Sequence, residues 1–565
     1  MTPLFTLTKQ VSALAFDLTS QRTERGAIAI SSAIASISLV VAIAPASVAA
    51  PTASVDLEIG IVQRFGEEKN DKLVLKATPG DRLTLTFEMG GQPQTVQASS
   101  ATIEIIQQAI NPQLEERVVL SNHRSFESAE DSAKAWEEKG IPTEIAQPNR
   151  WKVWAKRDAY ATPLLRRLLY QSLKQGGVNS AYLETTVLTE IPRASLVVNG
   201  YRYARDEIAI KAGKDLIHVN KNLFGGSLHL QPNAYGTYTL VNTVPLETYL
   251  RGVVPHEIGP SAPYAAVEAQ TILARTYALR NLRRFAVDNY ELCATVHCQV
   301  YYGLKGAVSV ADRAIAATRG QVLTYNNELA DALYSSTTGG VTAPFTDVWD
   351  GEDRPYLRSV VDAPGNLWDL SRKSLADEQN FRRFIDLEKG FNEVGWPLFR
   401  WRRESSLEDM TRDLKRYLEL NKSPLANFKT IEQVAIAKRS PSGRIRKTIV
   451  QTDRGPITLH KDDVRSAFFA PRSTLFYLEP LNKGKPELWG YAFVGGGFGH
   501  GVGLSQTGSY RLAKLGWSSS RILSFYYPGT QIQPLDESTL LWRDGSTLKT
   551  RQATADRKAV KSKNP

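Results

Sequence analysis

The stretch at residues 246–279 constrains the fold of this chain more than any other. An apolar helical turn leads into a Val-Val-Pro sequence at 253–255, and a second, longer helical pattern follows Pro263. Proline suits the first turn of that second helix, where its missing N–H has no cost. The Val-Val-Pro sequence predicts a tight corner between two helices, with Glu257 held outward near the N-terminus of the second one.

Glu257 has two interpretations at such a corner. Its carboxylate can exchange protons with a bound substrate. It can also cap the second helix and interact with the positive end of the helix dipole. The local sequence leaves both open.

Length and charge narrow the classes of protein to consider. A chain of 565 residues exceeds a single ordinary core, which indicates two to four domains. The composition is that of a soluble globular protein. The net charge of +11 is spread along the chain and suits an anionic surface or polymer. No nucleic-acid-binding motif accompanies this charge, so we expect no nucleic-acid partner.

The N-terminus resembles an export signal. Arginines precede an uncharged stretch at residues 26–44, and small residues follow at 45–50. A basic flank, an apolar segment and an alanine-rich exit are typical of a secretory signal, with cleavage near Ala49 or Ala50. The alternative is an uncleaved membrane anchor, since the uncharged stretch is nearly long enough to span a bilayer. We therefore expect an exported protein of the periplasm or cell envelope.

The order of strand and helix patterns predicts an α+β fold, in which a mixed, β-rich core with packed helices follows smaller modules. The predicted segments are a signal or anchor at 1–50, a small β segment at 51–112, an α+β module at 113–192, the first part of the core at 193–365, a helical insertion at 366–439, the second part of the core at 440–535, and a basic tail at 536–565. The polar composition of the tail predicts disorder.

Two local signals mark individual elements. Asn199-Gly200 lies between strand patterns and predicts a type I′ hairpin turn. Ser405 with Glu408 predicts a capping box ahead of an apolar helix face within the insertion.

The glycine-rich stretch at 495–508 surrounds His500 but matches no nucleotide loop. Gln506 stands where the third glycine of a dinucleotide motif would be needed, and no Gly-Lys-Ser/Thr follows. Alternating glycines allow backbone and imidazole to lie close against a ligand, which suits the floor of a groove that holds a sugar chain. A tight strand-to-helix connection with a structural His500 is the alternative.

Cys293, His297 and Cys298 lie within six residues of one another. Two thiolates and an imidazole are suitable zinc ligands, but a closed zinc site needs four. Asp288 and Glu291 are the only close candidates for the fourth position. A disulfide or two unbonded thiols explain the cysteines as well.

Residues 117–170 show a β-α-β-α order of patterns. This order resembles a sporulation-related repeat, a small module that in its family binds the glycan strands of peptidoglycan. A generic α+β spacer domain is the alternative.

Five segments of the core occur in a defined order: Leu246-Glu-Thr-Tyr-Leu-Arg-Gly-Val-Val-Pro-His-Glu257, Glu268-Ala-Gln-Thr-Ile-Leu-Ala-Arg-Thr-Tyr277, His297-Cys-Gln-Val-Tyr301, Ser336-Thr-Thr-Gly-Gly340 and Gly499-His-Gly-Val-Gly-Leu-Ser-Gln506. Together they resemble the stage II sporulation protein D family, also called the amidase-enhancer family. This resemblance implies a lytic transglycosylase that acts on peptidoglycan glycan strands, particularly strands without stem peptides.

The resemblance implies that Glu257 is the catalytic acid. Ordinary glycosidases need a pair of carboxylates, whereas a lytic transglycosylase can use one, because the C6 hydroxyl of the muramyl residue replaces water. The chemistry then requires no cofactor. Six other residues would line the groove: Arg275, Tyr277, Ser336, Thr337, His500 and Gln506.

Two features depart from the family pattern. Zinc-binding relatives carry another histidine upstream of the first cysteine, whereas Asp288 and Asn289 occupy that vicinity here. A structural zinc therefore needs a different fourth ligand. The insertion at 366–439 also separates the two parts of the core.

Two other functions compete with the enzyme. A non-catalytic wall-binding protein could recruit or activate an N-acetylmuramoyl-L-alanine amidase, as the second family name suggests. Zinc-dependent hydrolysis is disfavoured by the missing fourth ligand and by the absence of a His-Glu-x-x-His sequence.

Overall fold

The computed structural model describes residues 55–484, 486–536, 539 and 541. The predicted signal or anchor at 1–50, with its cleavage site, and most of the predicted tail lie outside these residues. The helices and strands within them confirm the α+β class. None of the described helices is long and apolar enough to cross a bilayer.

The N-terminal strands alternate buried with more exposed residues, as sheets with one covered face require. They are β1 (Asp56–Phe65), β2 (Lys72–Ala77), β3 (Leu83–Met89), β4 (Gln92–Ala98) and β5 (Ser100–His123). β3 shows the pattern clearly, with Leu83, Leu85 and Phe87 buried. β5 runs through the predicted limit between residues 112 and 113, so the small β segment and the module after it share a strand.

The segment that follows β5 contains a strand, at residues 143–146, that the β-α-β-α sequence pattern of residues 117–170 does not predict. Its elements are α1 (Phe126–Glu137), β6 (Thr143–Ala146), β7 (Trp151–Ala155), α2 (Pro163–Gln175), β8 (Tyr182–Val198) and β9 (Tyr201–Ala204). β5 pairs with both β7 and β8, and β6 pairs with β7. Asn199 (φ 51°) and Gly200 (φ 82°) form the predicted turn between β8 and β9.

The next elements lead to the two central helices. They are β10 (Ile208–Ala212), β11 (Leu216–Val219), β12 (Asn222–Gly225), β13 (Ser227–Pro232), β14 (Tyr238–Pro245), α3 (Leu246–Ile258), α4 (Tyr264–Arg280) and β15 (Leu292–Cys293). One seven-stranded sheet has the order β15-β1-β14-β13-β10-β3-β4. This sheet interleaves strands from the predicted segments 51–112 and 193–365, so the two segments share one sheet.

The predicted corner at Val-Val-Pro is wrong, because Pro255 lies inside α3. The helix ends instead at Gly259, whose φ of 84° is available to glycine at little cost. Glu257 therefore lies in the last turn of α3 and not at the N-terminus of α4. No side chain forms a capping hydrogen bond at that N-terminus, which removes the capping interpretation of Glu257.

The C-terminal half builds smaller sheets around the central helices. Its elements are α5 (Ser309–Ala317), β16 (Gln321–Tyr325), β17 (Glu328–Leu329), β18 (Tyr334–Ser335), α6 (Glu378–Ile385), β19 (Arg400–Ser406), α7 (Leu407–Leu420), β20 (Ile431–Arg439), β21 (Ile445–Thr452), β22 (Gly455–His460), α8 (Asp463–Ala467), β23 (Phe476–Leu481), β24 (Gly490–Gly496), β25 (Leu504–Ser505), α9 (Gln506–Lys514), α10 (Ser519–Tyr526) and β26 (Gln531–Pro534).

The insertion at 366–439 is not purely helical. β19 pairs with β24 of the second part of the core, so a strand of the insertion extends a core sheet. Helix α7 begins one residue later than the predicted capping box requires. Ser405 lies in β19, and Ser406 is the N-cap, whose Oγ accepts a 3.0 Å hydrogen bond from the backbone N–H of Asp409.

Glu393 connects the insertion to two loops of the core. Its Oε1 accepts hydrogen bonds from the hydroxyls of Thr338 (2.9 Å) and Ser505 (2.5 Å), and its Oε2 accepts one from the N–H of Gly340 (2.9 Å). The neighbouring Asp362 has its pKa raised well above the usual value by burial and by the charge of Glu393. The carboxyl pair is fully buried and fixes the 336–340 loop against β25.

Candidate active site

A cleft of about 1130 Å³ crosses the described part of the chain. Its lining comes from the 113–192 module, from the end of α3, from the loops around Ser336 and His500, and from the segments that follow α7 and β22. This volume exceeds the roughly 300–1,000 Å³ of pockets that hold a single small ligand. The cleft is therefore large for a site that holds one small ligand.

Glu257 lines this cleft from the last turn of α3 and is half-buried there. The backbone N–H of Val300 donates a 2.8 Å hydrogen bond to its Oε1. The side-chain amide of Gln506 donates a 2.9 Å hydrogen bond to its backbone carbonyl. Both the carboxyl group and the backbone of Glu257 are thus held by residues far away in the sequence.

Burial raises the pKa of Glu257 from its usual value to about 7. The hydrogen bonds from Val300 and from the Tyr334 hydroxyl act in the opposite direction, because they favour the charged form, but burial outweighs them. A carboxyl group with this pKa can donate and accept a proton near neutral pH. This property suits general acid and base catalysis.

Sequence reasoning missed two of the groups that hold the Glu257 carboxyl, Val300 and Tyr334. The Tyr334 hydroxyl accepts a 3.2 Å hydrogen bond from the side-chain amide of Gln299, whose Oε1 accepts one of 3.2 Å from Tyr249. Gln299 and Val300 lie inside the His297–Tyr301 segment of the resemblance. Their membership in that segment is the signal that could have found them.

His500 lines the cleft within the glycine-rich loop. Its Nδ1 accepts a 3.0 Å hydrogen bond from the N–H of Val502, which leaves the ring proton on Nε2. Burial is the main cause that lowers its pKa to about 4, so the imidazole is neutral near pH 7. Gly503 is required here, because a Cβ at that position would lie 1.9 Å from the carbonyl oxygen of Leu333.

Three more of the predicted groove residues line the cleft, namely Tyr277, Ser336 and Gln506. Two others do not, and their predicted place in the groove is corrected. Thr337 is 2% exposed and forms a β-bridge with Phe498 beneath the surface.

Arg275 is the second correction, because it is fully buried between α3 and α4. Its guanidinium donates two hydrogen bonds of 2.8 Å to the carboxylate of Glu247 and one of 3.0 Å to the carbonyl of Gln321. A fork with three fixed acceptors is a structural connection between helices. Arg275 is therefore not one of the residues that line the cleft.

The predicted zinc site is not supported. Cys293 and Cys298 form a disulfide, so their thiolates cannot bind a metal. No group of three potential metal ligands occurs among the described residues. Asp288 accepts a hydrogen bond from the N–H of Ala234, and Glu291 accepts one from that of Glu58. Both candidates for the fourth ligand are therefore engaged elsewhere, while His297 and Cys298 line the cleft.

Two family models match segments of the chain that contribute residues to the cleft. The family model described as stage II sporulation protein matches residues 234–325 and so includes Glu257 and the disulfide. A domain of unknown function (DUF8618) matches residues 343–503, which include the insertion and His500.

Three relatives cover large parts of the chain. An amidase enhancer of Bacillus subtilis is 30% identical over 300 residues, which are 50% of this chain and 40% of that protein. The chain therefore spans less than half the length of this relative. An uncharacterized protein of Brachyspira hyodysenteriae is 27% identical over 372 residues, 64% of this chain and 86% of its own length.

Stage II sporulation protein D of Bacillus subtilis is 24% identical over 313 residues, which are 52% of this chain and 76% of that protein. The matched segment, these relatives and the five ordered motifs agree. The chain therefore carries, at residues 234–325, a domain of the stage II sporulation protein family, which it shares with stage II sporulation protein D and with the amidase enhancer.

Proposed function

We propose that this protein is an exported lytic transglycosylase that cleaves the glycan strands of peptidoglycan, preferably strands without stem peptides. The observation that carries the proposal is the carboxyl group of Glu257, which lies in a large cleft with a pKa of about 7. The hydrogen bond from Val300 fixes one oxygen of this carboxyl.

The reaction needs one proton donor that later becomes the acceptor. Protonated Glu257 donates its proton to the glycosidic oxygen, and the bond between this oxygen and C1 of the muramyl residue breaks. The Glu257 carboxylate then takes the proton of the C6 hydroxyl as that oxygen bonds to C1. The products are a strand with a 1,6-anhydromuramyl end and a strand with a free hydroxyl, and no water is consumed.

The other carboxylates of the cleft support a mechanism with a single acid. Hydrolysis by inversion or retention needs a second carboxylate as base or nucleophile. Glu127 is paired with Arg284, Asp350 with Lys461, and Asp462 with Arg124. Asp463 is largely covered and receives a hydrogen bond from Tyr417.

The names of the relatives and the disulfide support a role at the cell wall. The names of two relatives refer to an amidase and to sporulation. The disulfide between Cys293 and Cys298 is typical of an oxidising compartment, and export to the periplasm or cell envelope would supply one. Glycan strands are accordingly the proposed substrate.

The test uses denuded glycan strands with the parent protein and with the Glu257→Gln variant. Mass spectrometry should detect anhydromuramyl ends with the parent, and the variant should form them about 100- to 10,000-fold more slowly. The matched control is Glu328→Gln, which neutralises an exposed carboxylate outside the cleft lining and should keep the parental rate. Equal product from the parent and from Glu257→Gln would refute the assignment.

A second candidate follows from the relative named amidase enhancer. In this role the protein binds the wall without cleaving it and recruits or activates an N-acetylmuramoyl-L-alanine amidase. Purified amidase should then release stem peptides faster in the presence of either the parent or the Glu257→Gln variant. A stimulation that depends on Glu257 would instead indicate that cleaved strands are the signal.

A further inference from the structure

We propose that one wall of the cleft is a carboxylate-binding subsite for the glycan strand, formed by Arg150, Lys174 and Lys422. This inference rests on the proposed function and deepens it, because it names the chemical group by which the strand is recognised. The three residues lie outside the segment matched by the stage II sporulation protein model. Arg150 and Lys174 belong to the 113–192 module, and Lys422 follows α7.

Arg150 lacks a strong anionic partner. It lines the cleft in the turn between β6 and β7, and no carboxylate lies within ion-pair distance among the described residues. Its Nε is buried without a hydrogen-bond partner. Leaving a buried charged donor unsatisfied costs free energy, and a bound acceptor would remove that cost.

Lys174 and Lys422 are only weakly engaged. The ammonium of Lys174 donates one long hydrogen bond of 3.4 Å to the carbonyl of Asn179. Lys422 lies 3.7 Å from Glu184, which already has a closer partner in Lys152 at 2.8 Å. Exposed pairs of this length contribute little, so both ammonium groups remain available to a ligand.

The rest of the cleft differs from this wall. Its other charged cations each have a carboxylate partner: Arg124 and Arg465 share Asp462, Arg284 has Glu127, and Lys461 has Asp350. Arg150 interacts electrostatically with the Asp463 carboxyl, but burial outweighs this interaction and raises the pKa of that carboxyl. The uncompensated positive charge of the cleft is therefore concentrated at Arg150, Lys174 and Lys422.

Aromatic rings lie beside all three cations, and the Lys174 ammonium lies over the ring of Tyr170 at 5.6 Å. The Arg150 guanidinium lies over the ring of Tyr417 at 5.6 Å, and the Lys422 ammonium lies over Tyr182 at 5.0 Å. Both tyrosines also line the cleft. A cation that is already positioned loses less side-chain freedom when it binds an anion.

The ligand must carry carboxylates at regular intervals. A glycan strand without stem peptides exposes one lactyl carboxylate on each muramyl residue, whereas a strand of N-acetylglucosamine alone has none. Stem peptides convert the lactyl group to an amide and place other carboxylates further from the sugar chain. The lactyl carboxylate is therefore the group that we assign to this wall.

The test measures binding in the Glu257→Gln background, so that cleavage does not interfere. Fluorescein-labelled denuded strands are titrated with three proteins that all carry Glu257→Gln. The first has no other change. The cleft triple variant adds Arg150→Gln, Lys174→Gln and Lys422→Gln, and the charge-matched control triple variant adds Lys76→Gln, Lys211→Gln and Arg319→Gln. The control positions are exposed and lie outside the cleft lining. Circular dichroism and melting curves check that each variant is folded.

We expect the cleft triple variant to bind denuded strands at least about tenfold more weakly than the Glu257→Gln protein does. The control triple variant should bind them as tightly as the Glu257→Gln protein. Strands whose lactyl carboxylates are converted to methylamides, and chito-oligosaccharides, should bind the Glu257→Gln protein more weakly than denuded strands do. For these two ligands, the Glu257→Gln protein and the cleft triple variant should have similar affinities. Equal binding of amidated and free strands would overturn the proposal. Tighter binding of strands that carry stem peptides would also overturn it, since it would assign the carboxylates to the peptides.

The outcome is separable from that of the proposed function. Product formation is measured with the parent protein, which contains Glu257. Absence of anhydromuramyl ends together with carboxylate-dependent binding would refute the enzyme and leave the subsite intact. Normal product formation with binding that is insensitive to the cleft triple would refute the subsite alone.

Discussion

The backbone N–H of Val300 donates a 2.8 Å hydrogen bond to Oε1 of Glu257, across 43 positions of sequence. Val300 lies two residues after Cys298, which the disulfide joins to Cys293. The N–H that holds the proposed acid therefore lies close in sequence to a covalently closed loop.

The rate should depend on the protonation of Glu257. Its pKa is raised to about 7, so the acid form that must protonate the glycosidic oxygen persists up to that pH. We expect kcat/KM to fall by about tenfold per pH unit above pH 7. Initial rates of anhydromuramyl formation between pH 5 and 9 test this. An alkaline limb that begins near pH 5 would contradict the assignment of Glu257 as the acid.

Tyr334→Phe should move that alkaline limb to higher pH. The Tyr334 hydroxyl favours the charged form of Glu257, so its removal raises the pKa of the carboxyl further. The measurement is the pH–rate profile of the variant beside that of Tyr302→Phe, which removes a hydroxyl from a largely exposed ring. Tyr302→Phe should leave the limb in place, and an unshifted limb in Tyr334→Phe would show that the Tyr334 hydroxyl does not stabilise the Glu257 carboxylate.

Reduction or removal of the disulfide should weaken both stability and activity. Closing so short a loop stabilises a protein by about 2 kcal/mol. We expect the Cys293→Ser, Cys298→Ser double variant to melt at a lower temperature and to lose activity, because the Val300 N–H is less well placed. Thiol titration of the denatured parent should find no free thiol, since both cysteines are paired. Stoichiometric zinc and two titratable thiols in the purified protein would instead support a metal site.

Arg275→Gln should destabilise the protein without a direct effect on strand binding. The substitution removes two charge-assisted hydrogen bonds to the partly exposed Glu247, which typically costs about 1.5–3 kcal/mol. Chemical denaturation compares it with Arg319→Gln, an exposed arginine, and with Arg275→Lys, which keeps the charge but loses the bidentate geometry. Unchanged stability combined with weaker strand binding would instead support the predicted position of Arg275 in the groove.

The sequence predicted local features of the fold better than the path of the chain. The Asn199-Gly200 turn was predictable because a type I′ turn requires positive φ at both residues, which these two tolerate. The end of α3 was not predictable, because the sequence alone does not distinguish a proline in the last turn of a helix from a proline that ends the helix. The interleaved sheet could not be predicted, because the pairings of β1 with β14, β1 with β15 and β3 with β10 join strands separated by more than a hundred residues.

The candidate site was also only partly predictable from the sequence. Glu257, His500 and Gln506 stand in recognisable motifs, and the structure brings them to one cleft. Arg275 stands in a motif as well, but its role depends on its ion pair with Glu247 of the preceding helix, which the sequence pattern does not reveal. Arg150 and Lys422 stand in no motif, and only the tertiary structure brings them to the same wall.

Glu393 has a consequence for how this protein can be divided. Its carboxylate satisfies Thr338, Gly340 and Ser505 from within the segment that interrupts the core. A truncated form without residues 366–439 would leave these three buried donors unsatisfied and would remove the strand paired with β24. Neither expression of the core alone nor replacement of residues 366–439 by a short linker should give a soluble product, so a useful expression fragment retains the core together with this segment.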